Sequence, residues 1–527
     1  MASTFRYVPS AFESSGGFLT TFRKYPKMAL DMLNSLKTQE LDSDITLGVL
    51  SNAFTEGKDL KEFWENLKDD FTLQGDSGGL QIITRGMEVD DEIKRKIYQK
   101  QAKYCHQAFS FDEIPLKVLE RNGQGGMTTV ALFVDSLFNL NAKKTGVNIA
   151  NQIKEFKKQK TNSKILFIIQ GKNFPKMREW AWFAFQEIKK VQGYEDYIGG
   201  LAVGNTTNTG HQSLNDFMLR FQNELEFLPQ EWVKNLHMLG AGSPSKIFSY
   251  LTVPESYFLD GTVVSADATT QTRAIVFGNY MYFDQDNKLS TVAAGRDYTE
   301  ASKFVCTHIY DYTKKYIKKY KSEYNLLVNG YEDFREQYTQ YNKNLFRKRT
   351  EFSDDYEYQK RSRMGRFFWT MSMMSDYLKL LAFIRNQCQR FRDEPSAQKD
   401  ILKTLKHSLP GKIYEPLRHI VQVKNWSEYM AGSTEIVTGH PYKIELSLDL
   451  YDPTNEIVNI DNQLWITDLY EGKLLGRRLE TEPAGPLHYN GSTVRERFMR
   501  TLPGSKIETI MIPEHENTKT TEDLEVW

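Results

Sequence analysis

The sequence predicts an α/β protein built on a closed (β/α)8 barrel of TIM type, with a helical insertion and a C-terminal α+β accessory region. Three observations lead there. Short apolar runs recur through the first half of the chain, the length expected of buried strands. Helical patterns of about ten residues or more separate them, the alternation that builds a parallel sheet from βα units. About seven or eight such units fit a closed barrel better than an open sheet. At 527 residues the chain is also longer than one average domain, which leaves room for a second unit.

Taken in order, Ile45-Thr-Leu-Gly-Val-Leu50 is the first strand candidate and Leu80-Gln-Ile-Ile83 the second. Val130-Ala-Leu-Phe-Val134 follows, and its continuation to Leu140 fits strand or helix. Ile165-Leu-Phe-Ile-Ile169 is the clearest buried strand, bounded by Ser163-Lys164 and Gln170-Gly171. Tyr197-Ile198 leads into Gly199-Gly200-Leu201-Ala202-Val203-Gly204, and runs at 236–242 and 262–265 complete the series. Amphipathic helices are expected over 149–160, 174–192 and 213–227. After Arg273 the texture changes. Residues 301–393 read as helical and dense in Tyr, Lys and Arg; residues 396–527 read as mixed, with strands over 444–450 and 463–466.

Composition narrows the class. With 68 basic and 68 acidic residues, total charge says nothing about partners. Three cysteines, Cys105, Cys306 and Cys388, in so long a chain fit a reducing compartment without structural disulfides. Residues 1–7 lack the apolar core of a signal peptide, and no run approaches the roughly 20 apolar residues of a membrane helix. The expectation is a soluble, cytoplasmic protein.

Five stretches carry the chemistry: Asp76-Ser77-Gly78-Gly79-Leu80-Gln81, Phe111-Asp112-Glu113, Ile169-Gln170-Gly171, Gly199 to Gly204, and Asp267-Ala-Thr-Thr-Gln-Thr272-Arg273. Each sets an acid, amide or glycine after an apolar run, where a barrel keeps its active site. Taken singly, each acid is as well explained by a cap or a turn. In this order and spacing they resemble the tRNA-guanine transglycosylase superfamily, whose (β/α) barrel exchanges a guanine in a polynucleotide for a 7-deazaguanine base. Gly240-Ala-Gly-Ser-Pro244 looks like the family's Gly-x-Gly-x-Pro strand end. The resemblance covers roughly residues 40–275.

The resemblance implies that Asp267 is the nucleophile and Asp76 the general acid/base. Carboxylates suit both roles in a retaining glycosyl transfer. Asp112, Gln170 and the backbone at Gly199, Gly200 and Leu201 match groups that bind the base edge, and Ser77 and Gln81 match further pocket positions. Arg273 follows the nucleophile at the family's spacing and is grouped with the nucleic-acid contacts. Three departures stand out. Leu80 replaces the usual aromatic before the pocket glutamine, Asn205 replaces the usual glutamate, and the Cys-x-Cys-x-x-Cys zinc run with its downstream histidine is absent. Cys306 and His308 alone cannot complete a tetrahedral site, and Cys105-His106 lies far from them, so no metal or other cofactor is expected.

The absent zinc site, Leu80 and the unfamiliar C-terminal region resemble the divergent DNA-modifying branch, often encoded by phages, more than the tRNA enzymes; the location would then be the host cytoplasm. The implied reaction replaces guanine in DNA with 7-cyano-7-deazaguanine or a relative. The alternatives are a tRNA queuine or archaeosine transglycosylase, or a non-catalytic partner subunit. The expected partners are nucleic acid and a small 7-deazaguanine base, with no membrane; a homo-oligomer is left open. From the change in texture, residues 1–395 are expected to form the barrel domain and 396–527 the accessory domain; 366–385 resembles the family's last barrel helix, which would make 275–365 an insertion in place of the zinc region. Candidate phosphate contacts are Lys314, Lys315, Lys318 and Lys319 with their interleaved tyrosines, Arg347 and Arg349, and Arg361 and Arg363.

Overall fold

The computed structural model describes most of residues 4–411, apart from 11–21, 40–44, 119–130, 205–217, 253–257, 294–299, 337–355 and shorter stretches, together with four strands between 456 and 511. Eight parallel strands close into a barrel: β1 Thr4–Pro9, β2 Ile45–Ser51, β3 Thr72–Gly75, β4 Gln107–Phe109, β5 Lys164–Ile169, β6 Ile198–Val203, β7 Asn235–Met238 and β8 Val263–Ala268. Neighbours around the ring follow chain order, and β1 closes it by pairing with both β2 and β8.

Strand alternation divides the core. Val8, Leu50, Phe109, Leu166, Ile168 and Ala202 point inward and fill the barrel. Their neighbours Tyr7, Val49, Ala108, Phe167, Ile169 and Val203 point outward and pack beneath the helices. Those helices are α1 Pro26–Gln39, α2 Gly57–Leu67, α3 Asp91–Tyr104, α4 Asp135–Gln159, α5 Phe174–Ile188 and α6 Pro244–Thr252. Helix α3 starts where Asp90 accepts the Ile93 amide at 2.8 Å, a side-chain cap on an otherwise unpaired N–H.

After β8 the chain makes an antiparallel hairpin, Asn279–Phe283 with Leu289–Ala293. Then come α7, Glu300–Tyr324, and the long α8, Tyr356–Asp393. Helix α8 packs against α1 and α6, which puts it in the eighth helical position of the barrel. A short helix, Gln398–Ser408, follows, and the strands Glu456–Ile460, Gln463–Tyr470, Lys473–Leu479 and Thr509–Met511 form an antiparallel sheet.

Several expectations need correction. The strand expected at 80–83 lies earlier, at β3; beyond it the chain turns helical, and the Ile82 amide bonds the Gly78 carbonyl at 3.0 Å. The apolar run at 130–134 is not a barrel strand, because Ala131–Phe133 pairs antiparallel with Leu116–Val118 outside the ring. The barrel instead uses β4, and it also uses β1. The insertion opens as a hairpin before it becomes helical. The strand expected over 444–450, and most of the helix over 213–227, lie outside the described residues.

Candidate active site

Strand ends on one side of the barrel carry the candidate groups. Asp76 directly follows β3, Asp112 lies three residues past β4, Gln170 directly follows β5, and Asp267 sits next to the end of β8.

Asp267 is buried and oriented from the β7 side. Its Oδ1 accepts the Gly240 amide at 2.6 Å and lies 3.2 Å from His237 Nε2. Among the described residues no hydrogen bond reaches Oδ2, so one oxygen is held and the other is open for attack. His237 is fully buried, its ring 4.6 Å from that of Phe109, and its Nδ1 lies 2.9 Å from Ser265 Oγ. The main chain is fixed too. Gly242 donates its amide to the Asp267 carbonyl at 2.8 Å, and its own carbonyl accepts the Tyr377 hydroxyl of α8 at 2.8 Å. The Tyr377 ring packs on Tyr7, whose hydroxyl donates to Gln271 Oε1 at 2.8 Å.

Asp76 turns back onto the amides of Gly78 and Ser77. Gly78 has φ +79°, and a Cβ there would lie 2.6 Å from the Phe54 ring, so this turn requires glycine. Burial pushes the Asp76 carboxyl up to about 6; the nearby Asp267 charge adds to the shift and the two amides oppose it. Asp112 is more deeply buried, and burial pushes it to about 7 even though Gln170 Nε2 donates to its Oδ2 at 2.6 Å. The Asp76 charge contributes to that rise. Each acid thus feels the next, and the three carboxyls face one mouth.

A buried amide braces two of these strand ends. Gln101 on α3 donates from Nε2 to the carbonyls of Gly75, Asp76 and Phe109, each at 3.1 Å. Gln152 on α4 donates in turn to Gln101 Oε1 at 2.9 Å. Gly204 brings the backbone against Gln170: a Cβ there would fall 2.3 Å from the amide.

His237 and Gln101 are functional candidates that the motifs missed, and Gly204 lay within a motif without being assigned a role. His237 carried a readable signal, a polar residue between Leu236 and Met238 in an apolar strand; strand pairing sets it opposite Ser265, two residues before Asp267. Ser77 is buried beside Asp76. The structure does not bring Gly199, Gly200 and Leu201 to the mouth. Register pairs Gly200 with Leu166 and Val203 with Ile169, so Gly200 lies four residues, about 13 Å, below Gly204. A Cβ on Gly200 would meet Asn235, and Leu201 is packed in the core beneath the helices. Gln81, Arg273, Arg347 and Arg349, as well as Leu80 and Asn205, lie outside the described residues, as do the side chains of Arg361 and Arg363.

The basic face of α7 also differs from expectation. Lys314, Lys315, Lys318 and Lys319 are exposed, but Lys314 pairs with Asp311 at 2.7 Å and Lys319 with Asp31 at 2.8 Å. Lys315 lies over the Tyr316 ring. Tyr316 and Tyr320 are buried, because helical periodicity turns them onto the packing face with Thr313 and Ile317, so they are no stacking platform. Burial pushes the Cys306 thiol up to about 12, and His308 Nε2 lies 2.9 Å from Asp376 Oδ2. No helix among the described residues is long and apolar enough to cross a membrane. No family model and no curated protein matches this sequence.

Proposed function

We propose that this chain is a base-exchanging transglycosylase that replaces guanine in DNA with a 7-deazaguanine base such as 7-cyano-7-deazaguanine. The observation that carries the reading is the three-carboxyl mouth. One acid has an oxygen that none of the described residues bonds, burial pushes one up to about 6, and one is paired with an amide that can read a base edge.

In the proposed cycle Asp267 Oδ2 attacks C1′ of the target nucleotide. The C1′–N9 bond breaks, its electron pair leaves with guanine, and Asp76 supplies the proton. The incoming base then gives its N9 proton to Asp76, and its nitrogen attacks C1′ and releases Asp267. Two inversions retain the configuration. A carboxyl near 6 can give and take that proton close to neutral pH. Asp112 and Gln170 face the base edge, the acid accepting its N–H groups and the amide donating to its carbonyl. In a duplex the nucleotide must first leave the stack, at a cost of a few kcal/mol.

The test is incubation of purified protein with labelled guanine or 7-deazaguanine and separate DNA and tRNA, followed by mass spectrometry of nucleosides. Label in DNA is expected. Label confined to tRNA would replace the substrate and keep the chemistry; no exchange into either would end the proposal.

A further inference from the structure

We propose that the outward face of α4 is a docking surface for the sugar–phosphate backbone of a polynucleotide. The inference rests on the transglycosylase reading for the identity of its partner, and it differs from the surface that the sequence pointed to. Helix α4 contains five lysines, Lys143, Lys144, Lys154, Lys157 and Lys158, against two acids, Asp135 and Glu155. All five lysines are exposed. Among the described residues none lies within ion-pair distance of a carboxylate; Lys143 sits over the Phe183 ring, Lys154 reaches Asn151, and Lys157 donates to the Gln192 carbonyl. Glu155 is engaged by the side-chain amides of Gln99 and Gln159, each at 3.0 Å.

On α7, by contrast, Lys303, Lys314 and Lys319 all face acids, and Glu323 takes Lys27. A neutralised lysine has little left to offer a phosphate. Lys144 and Lys158 act only at a distance on Glu113 and Glu155, and a row without ion pairs keeps charge with which to attract a phosphate and displace its counterions.

Geometry supports the same partner. Lys143 to Lys158 spans about 22 Å at about 1.5 Å per residue, or roughly six base-pair steps of duplex. Leu137, Leu140 and Val147 are exposed along the same helix, spaced for contact with sugars between the charges. The inner side of α4 supports the mouth: Thr145 Oγ1 accepts the Glu113 amide at 2.9 Å, and Asn148 Nδ2 donates to the Phe111 carbonyl at 3.3 Å. A strand lying along the lysines therefore runs toward the chain segment that holds Asp112. An anionic membrane is the competing partner for a basic helix. However, α4 commits Ile149, Ile153 and Phe156 to the core, and it cannot roll to bury an apolar face in lipid.

The experiment is anisotropy of a labelled oligonucleotide, single-stranded and duplex, with full-length protein across about 50 to about 300 mM salt. The variant changes all five lysines to Gln, with a five-fold Lys→Arg variant as charge-preserving control and circular dichroism to confirm folding. Loss of binding by tenfold or more is expected, with a shallower salt slope, by about 0.7 to 0.9 per lost contact. The Arg variant should bind like wild type, and a Lys314→Gln, Lys319→Gln pair should change little. An unchanged slope in the Gln variant overturns the proposal. So does loss of binding to phosphatidylserine vesicles with oligonucleotide binding intact. Binding needs no turnover, so repeating it in Asp267→Asn protein separates the two readings. Lysine-dependent binding without base exchange would leave this surface standing alone, and exchange with lysine-independent binding would remove only the surface.

Discussion

At the scale of single residues, the candidate site depends on which oxygen and which proton are free. Asp267→Asn keeps the shape and the Gly240 bond but removes the charged nucleophile, so labelled-guanine exchange should fall to background with the melting temperature within a few degrees. Wild-type exchange in that variant would remove Asp267 from the mechanism. His237 holds the same oxygen, and His237→Leu should lower kcat by roughly 10- to 100-fold, about 1.4 to 2.7 kcal/mol, with KM less affected; His237→Gln, which retains a donor, should recover part of the loss. An equal loss in both would point to packing instead. Asp112 adds a pH signature. Its folded value near 7 lies above the usual carboxylate value near 4. Between those limits the unfolded chain ionises first, so this group's contribution to stability is lost as pH rises from about 4 to about 7. Asp112→Asn removes that loss, and its stability relative to wild type should climb over the same window in denaturant titrations. A flat difference would contradict the burial argument.

At the scale of elements, legibility followed side-chain polarity. Strand β5 was plain because both of its faces are apolar. Strands β3 and β4 are short, and β1, β3 and β4 were missed because their inward positions hold Arg6, Gln74 and Gln107, which break the apolar run. Asp76, Asp112, Gln170 and Asp267 were legible through the order and spacing of their motifs, even where the strand before them, β3 or β4, was not. Gly200 was misassigned because a glycine run does not reveal how far along the strand it lies; register decides that. The glycine that matters by position is Gly204. Gly204→Ala would push the Gln170 amide from its place, and a rise in KM for the incoming base larger than any fall in kcat is expected. Unchanged kinetics would show that Gln170 does not read the base.

At the scale of the whole molecule, charge balance misled where pairing mattered. The sequence could count the lysines of α7 but could not see that Asp31, on α1, neutralises one of them. Nor did it single out α4, whose lysines are fewer and whose two acids, Asp135 and Glu155, form no ion pair with them. The closure of the ring has a further consequence for synthesis. Strand β1 leaves the ribosome first, yet one of its edges must wait for β8, and Tyr7 meets Gln271 across 264 positions. At roughly 5 to 20 residues per second, that edge stays unpaired for roughly 13 to 50 s. Tyr377, which bonds the Gly242 segment that in turn holds the Asp267 main chain, emerges later still. Nascent chains stalled before residue 268 should therefore be protease-sensitive and prone to capture by chaperones. Those stalled between 268 and 377 should be able to close the ring while remaining inactive, which pulse proteolysis of arrested chains can read directly.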